Sequence, residues 1–333
     1  MSYMHDAKPT LQQQRVSLLR LVYYTIFIVI LRVYTRYTII SNKLFNRRVG
    51  LLPPSVSIKP TRKIWVPSSS QGRSIEVHVF EPPKGAHGDK KGPLPVHINF
   101  HGSGFVLPNM GEDAEQCAYW ASKLGCIVLD SDYVKSPEHP HPAAVYDALD
   151  VLAHVHANPD IYDVTRITIG GVSAGATVAL LASLYAPKGT FRSVIAWYPI
   201  TDFTLGEEQR RVPDLPSGAP GCDLPWPLIQ LFTDSLLCPG QDLACPKLSP
   251  SFAPSEAFSP TAFIVGECDP LCPDSTALAS RLKAHNVDCE ILVVKDASHA
   301  FDRDCDPDTP QWLARDEANA MVERRLRAAH TIV

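Results

Sequence analysis

Arg166-Ile-Thr-Ile-Gly170-Gly171-Val172-Ser173-Ala174-Gly175 is the stretch that decides the fold. Its first half is a short β-branched apolar run and reads as a buried strand, while Ala174 to Tyr185, rich in Ala and Leu, reads as the helix that follows. Between them the chain must turn tightly enough to hold a serine in a strained conformation with its hydroxyl clear of the sheet. Side chains at 171 and 175 would collide with neighbouring backbone, so both positions are glycine. The helix that starts beside Ser173 aims its first N–H groups at incoming negative charge. Ser173 is therefore a candidate nucleophile.

Working outward, the same alternation recurs. Val96 to Phe100, Cys126 to Asp130, Ser193 to Tyr198, Ala262 to Val265 and Glu290 to Val294 read as strands, and Ile75 to Phe80 as a half-buried antiparallel one. Helical patterns over Ala114 to Leu124 and Asp316 to Ala329 complete the set. Strands alternating with helices of this length specify an α/β fold, with a mostly parallel sheet covered by helices on both faces. The boundaries expected are a helical leader over residues 1–52, ended by Pro53-Pro54, and one α/β domain over residues 53–333. Thirty prolines crowd most densely between Pro213 and Pro273. Proline suits loops and helix starts, so that stretch reads as a covering insertion and not as sheet core.

A serine nucleophile needs a base, and the base needs an orienting carboxylate. When serine sits on a strand–helix turn of this kind, the acid follows it in the chain and histidine comes last, each on a loop after a late strand. Asp269 lies in Gly266-Glu-Cys-Asp-Pro270, directly after the strand ending at Val265, ahead of the rival carboxylates Glu267, Asp274 and Asp296. His299 lies in Asp296-Ala-Ser-His-Ala-Phe301, after the strand ending at Val294. An oxyanion also needs N–H donors. His101-Gly102-Ser103-Gly104-Phe105 follows a strand and is small enough for its backbone to approach a substrate, so Ser103, Gly104 and Ala174 are the candidate donors.

Composition narrows the remainder. The apolar fraction of 45% suffices for a buried core, and a formal net charge of −4 with mixed signs excludes a nucleic-acid-binding face. Nine cysteines at irregular spacings, with Cys268 and Cys272 flanking an expected loop, fit neither a disulfide framework nor a metal site. They read as reduced small hydrophobes in an intracellular protein, cytoplasmic or membrane-associated. In the leader, Leu21 to Leu31 is apolar but bounded by Arg20 and Arg32, short of the roughly twenty residues a span needs. No small-residue cleavage site follows it, against a removable signal peptide. Residues 15–40 are expected to form a packed helix, or one that associates with a membrane surface, ahead of the alternative of a true span that extends to Ile40 and includes Arg32 and Arg36.

Taken together, these motifs resemble the hormone-sensitive-lipase-like family of α/β-hydrolases, over most of the chain beyond the leader. His101-Gly102-Ser103-Gly104 is similar to the family's His-Gly-Gly-Gly, with serine at one glycine; because the donor is a backbone N–H the change is expected to be tolerated, with some narrowing of the acyl pocket by the extra side chain. Asp132-Tyr-Val-Lys-Ser-Pro-Glu-His-Pro-His-Pro-Ala143 echoes Asp-Tyr-Arg-Leu-Ala-Pro-Glu-His-Pro-Phe-Pro-Ala, with Val134 at the arginine and Glu138 at the glutamate that braces the oxyanion loop. Asp269-Pro-Leu271 matches the acid motif, and His299-Ala-Phe301 departs from His-Gly-Phe by one residue. The resemblance implies an α/β-hydrolase fold and a serine esterase acting on small to medium carboxylic esters through an acyl-enzyme, without metal or organic cofactor. It also implies a helical cap built from the leader and an insertion over about residues 203–258, with Trp226 to Phe232 facing the substrate. Acyl transfer by the same triad, a non-catalytic small-molecule receptor of the same fold, and a membrane-anchored deacetylase are the alternatives. Oligomeric state is left open.

Overall fold

The alternation seen in the sequence becomes eight strands in the computed structural model, which describes residues 18–49, 58–70, 72–83, 92–219, 221–303 and 309–331. The strands are β1 (Arg62–Pro67), β2 (Ser74–Phe80), β3 (Leu94–Phe100), β4 (Ile127–Ser131), β5 (Tyr162–Val172), β6 (Val194–Trp197), β7 (Thr261–Gly266) and β8 (Cys289–Val294). They form one sheet in the order β1-β2-β4-β3-β5-β6-β7-β8. Only the β1–β2 and β2–β4 pairs are antiparallel, and every later pair is parallel. The helices are α1 (Leu18–Val49), α2 (Ala114–Leu124), α3 (Ala143–Ala157), α4 (Ala174–Tyr185), α5 (Trp226–Leu236), α6 (Cys272–Ala284) and α7 (Pro310–His330).

Period-two alternation along the central strands feeds two cores. In β6, Val194 and Ala196 face one side with α3, α4 and α6. Ile195 and Trp197 face the other, where α2 and α7 supply Trp120, Met321, Val322 and Leu326. Because both faces are covered, β4 and β6 are buried along their whole length, which is why β6 and the first three residues of β4 read as continuous apolar runs. The closing helix starts six residues before the expected Asp316. Thr309 accepts a hydrogen bond from Trp312 N (3.2 Å) and Pro310 occupies the first turn, a start signal independent of the Ala/Glu/Arg pattern.

After β6 the chain leaves the sheet and returns only at β7. As the prolines require, this excursion is loops and short turns around α5, which has proline in its first turn. Cys272 stands at the far end of the loop after β7, where it opens α6, again with proline in the first turn. The eight cysteines among the described residues are all unpaired; Cys305 lies outside them, as do Pro53-Pro54.

The leader packs on the body at its middle. Ile28 is fully buried against Val106 and Leu231, a burial worth about 2 kcal/mol. Tyr24 Oη donates to Asp234 Oδ2 (3.1 Å). Arg32 donates to Val106 O (2.8 Å), to Ser136 O (2.6 Å) and bidentately to Glu138 (2.7 and 2.9 Å). Among the described residues no helix is long and apolar enough to cross a membrane.

Candidate active site

Every residue singled out for chemistry follows the carboxyl end of a parallel strand, the edge at which open α/β sheets bind ligands. Ser173 ends the run of β5 and sits at φ 54°, ψ −120°, a left-handed backbone that a non-glycine residue adopts only when its surroundings over-determine it. The surroundings do so. A Cβ on Gly175 would lie 2.0 Å from Phe100 O, and one on Gly171 would lie 2.5 Å from the same oxygen. Ser173 N donates to Trp197 O (2.8 Å), tying the turn to β6.

The loops after β7 and β8 bring Asp269 and His299 to the serine. His299 Nε2 is 3.0 Å from Ser173 Oγ, and Nδ1 is 2.8 Å from Asp269 Oδ2. An ionised carboxylate can only accept, so Nδ1 carries the proton and Nε2 is left to accept from the serine hydroxyl. The second Asp269 oxygen accepts from Leu271 N (2.8 Å), and Asp269 is fully buried. The rival carboxylates are engaged elsewhere. Asp274 is buried, accepting from Thr201 N and Asp202 N (2.7 and 3.0 Å) and pairing with Arg210 (3.2 Å). Glu267 accepts from Asp296 N (3.2 Å).

Ser103, Gly104 and Ala174 line one cavity of about 350 Å³ together with Ser173 and His299. Their backbone N–H groups have no hydrogen-bond partner among the described residues. Gly104 has φ 54°, and a Cβ there would meet the Phe232 ring at 2.6 Å. The Ser103 side chain, at the edge of the cavity, is held by hydrogen bonds. Its Oγ is 2.7 Å from Tyr133 Oη and accepts from Phe105 N (2.9 Å), and the residue is buried. Tyr133 Oη also donates to His101 O (2.8 Å). Gly102 packs against Val172, 3.4 Å from where its Cβ would be.

His101 Nε2 lies 3.1 Å from Asp132 Oδ1, which also receives Tyr133 N (2.8 Å) and Lys135 Nζ (2.6 Å). Burial pushes the Asp132 carboxyl up, but hydrogen bonding to His101 and the Lys135 ammonium outweigh it and hold the group well below the usual carboxylate range. Lys135 also stands 3.7 Å from the centre of the Tyr133 ring, so a cation returns one position after Val134. Glu138 differs from its expected role. Its half-exposed carboxylate pairs with Arg32, and it reaches the chain after the oxyanion loop through that arginine on α1, because it faces the leader.

Two contacts have no counterpart in the sequence reading. Tyr198, just past β6, packs its ring edge-on to the His299 imidazole, with centroids 4.6 Å apart at 64°, and donates to Asp302 Oδ1 (2.7 Å). Burial pushes its phenol pKa up and keeps that donor protonated. Its place beyond the end of a parallel strand was the available signal. Cys222 forms an antiparallel bridge to His299, donating its N–H to His299 O (2.7 Å), and Ser298 Oγ donates to Cys222 O (3.0 Å).

From α5, Leu228, Ile229, Phe232 and Thr233 line the cavity, with Leu224, Ile200 and Leu271 extending the apolar wall. Trp226 and Leu231 of the same segment do not; Leu231 is buried against Ile28. Glu112 and Arg303 mark a polar end, where Arg303 binds Asp113 Oδ1 (2.6 Å). Among the described residues no three His, Cys, Asp or Glu side chains gather as a metal-ligand set.

A family model described as the alpha/beta hydrolase fold matches residues 97–303. An AB hydrolase superfamily protein of Schizosaccharomyces pombe is 25% identical over 296 residues, covering 84% of this chain and 85% of that protein. The carboxylic ester hydrolase LipN of Mycobacterium tuberculosis is 30% identical over 223 residues, covering 63% of this chain and 58% of its own length. Among solved structures, the esterase LipW of Mycobacterium marinum superposes with a TM-score of 0.69 at 25% identity, covering 91% of this chain and 90% of that one.

Proposed function

Starting from the fact that the chain belongs to the alpha/beta hydrolase fold family, in its hormone-sensitive-lipase-like class, we propose that it is a carboxylic ester hydrolase with Ser173 as nucleophile. His299 takes the serine proton through Nε2 as the hydroxyl attacks the ester carbonyl. Asp269 holds the imidazole in the tautomer that permits this and stabilises its positive charge. The N–H groups of Ser103, Gly104 and Ala174 receive the oxyanion, each donor contributing about 2.7–4 kcal/mol to the transition state. His299 returns the proton to the leaving alcohol. It then activates water to release the acid from the acyl-enzyme.

The observation that carries this reading is the unbroken series of contacts from Asp269 Oδ2 to His299 (2.8 Å) and from His299 to Ser173 Oγ (3.0 Å). Relatives named as a carboxylic ester hydrolase and an esterase support the same reaction class. A largely apolar cavity of about 350 Å³ sits at the small end of ligand pockets, and favours small to medium esters. Residues about 203–258, with α1 behind them, act as a cap over the 53–333 catalytic domain, since α5 supplies the wall facing Ser173 and its Leu231 is buried against α1.

The test is hydrolysis of aryl esters of graded acyl length, with a serine-reactive phosphonate. Wild type is expected to be labelled at Ser173 and to hydrolyse the shorter esters. Ser173→Ala should lose turnover by about 10⁶-fold in kcat without unfolding. Serine-independent hydrolysis, or labelling elsewhere, removes the proposal.

A further inference from the structure

The outer face of α1 is not accounted for by packing. The stripe Tyr24, Ile28, Leu31, Arg32 and Thr35 turns toward the body, at the spacing of one helix face. Of the eleven exposed residues between positions 22 and 37, only Thr25 and Arg36 are not large apolar ones. Ile26, Ile30, Val33 and Tyr34 are each more than half exposed. A contiguous apolar arc of this kind marks an interaction surface.

Charge names the occupant. Between Ala7 and Ile75 the sequence has twelve Lys and Arg and no Asp or Glu, and α1 itself carries Arg20, Arg32, Arg36, Lys43, Arg47 and Arg48. Arg62, Lys63 and Arg73 of this stretch pair with Glu81, Glu76 and Asp147. The chain as a whole is at −4, so the mixing of signs seen along most of it breaks in the leader that carries the apolar arc, where only cations occur after Asp6. Arg32 pairs with Glu138, and the sequence places five further Lys and Arg along this helix, which is about 48 Å long. Apolar and aromatic side chains combined with flanking cations suit a bilayer surface rich in anionic headgroups, where each cation adds attraction. Crossing the bilayer is ruled out by packing. Tyr24, Ile28 and Arg32 hold the middle of the helix against the protein on one side for more than two turns, so only the outward arc can enter lipid.

We infer that α1 docks the protein in the plane of an anionic membrane surface. The inference stands whether or not the chain is an esterase. Its consequence for the cavity is geometric: Leu228 and Phe232 line the cavity and also pack on the cluster around Ile28. The cavity wall is then one helix diameter, about 10 Å, from the lipid.

Flotation of the full chain on vesicles tests this. Wild type is expected to float with phosphatidylcholine vesicles containing a third phosphatidylserine, and about tenfold less with phosphatidylcholine alone. The double variant Ile30→Asp/Val33→Asp should stay in the dense fraction with an unchanged melting temperature. Arg36→Glu/Arg47→Glu should weaken flotation about tenfold with the apolar arc intact. Wild type that fails to float on anionic vesicles overturns the inference, as does an Ile30→Asp/Val33→Asp variant that floats normally. A wild-type dimer that this variant splits into monomers would assign the face to a second copy instead.

Discussion

Asp269 gives one oxygen to His299 and the other to a backbone N–H, with no water-accessible surface left over. An amide in its place presents an NH₂ where the imidazole N–H must donate, so the ring turns to the wrong tautomer. Asp269→Asn is expected to cut kcat by about 10⁴-fold while the melting temperature changes little; initial rates on a short-chain aryl ester check it. Tyr133 acts at one remove. Its hydroxyl donates to His101 O and shares a hydrogen bond with Ser103 Oγ, pinning the loop whose N–H groups face the cavity. Tyr133→Phe should cost about 1–3 kcal/mol of stability and lower kcat roughly tenfold with KM nearly unchanged. Rates equal to wild type would show that the loop keeps its shape without the phenol. Sequence alone could nominate Ser173, Asp269 and His299 because each follows a strand at a fixed topological place. Tyr198 shares that place after β6, but its role, like those of Tyr133 and Cys222, is set by what folds against it. At position 103 the pattern shows a serine in place of a glycine but not its partner, a tyrosine thirty residues away that holds its hydroxyl.

The element with least tolerance is the turn from β5 into α4. At Gly175 a methyl group would overlap the Phe100 carbonyl at 2.0 Å, and backbone cannot swing aside as a side chain might. Gly175→Ala is expected to destabilise the protein by about 3 kcal/mol or more, read as a lower urea midpoint at constant m value. A midpoint within error of wild type would mean that the turn can open. This element was the most legible in the sequence for the same reason that it is intolerant: strand, two glycines and helix leave one geometry. β1 was the least legible. In Arg-Lys-Ile-Trp-Val-Pro only Val66 is buried, so an edge strand pairing on one side leaves little apolar signal. The start of α6 was hidden by Cys272-Pro273, where proline reads as a break although it is tolerated in a first turn. The helix over Ala143–Ala157 has no clear start signal in the sequence, because it follows directly on the proline-rich Pro137 to Pro142.

Across the whole molecule, buried histidines set how stability responds to acid. His97 and His330 both contact Thr168 Oγ1, at 3.0 and 3.1 Å, joining β3, β5 and the end of α7. Burial, the dominant cause, holds His97 at about 3 and His330 at about 4. An unfolded histidine takes up its proton near 6.5, so between pH about 6.5 and 4 the unfolded chain binds protons that the native one refuses. Stability therefore falls as pH drops through that window, by up to about 1.4 kcal/mol per pH unit for each such group. Asp130 and Asp274, raised by burial, act with the opposite sign. Comparison with His330→Gln cancels them: melting temperature should decline less steeply from pH 7 to 5 in the variant, and parallel declines would contradict the assignment. At this scale the bridge from Cys222 to His299 also acquires a wider meaning. The segment that shapes the cavity wall is the same one that clasps the histidine loop. A graft or loop exchange over residues 203–258 that replaces residues 221–222 with the rest is therefore expected to alter turnover as well as which molecules fit. In this chain selectivity and speed are inherited together, and a swap that preserves residues 221–222 is the one that separates them.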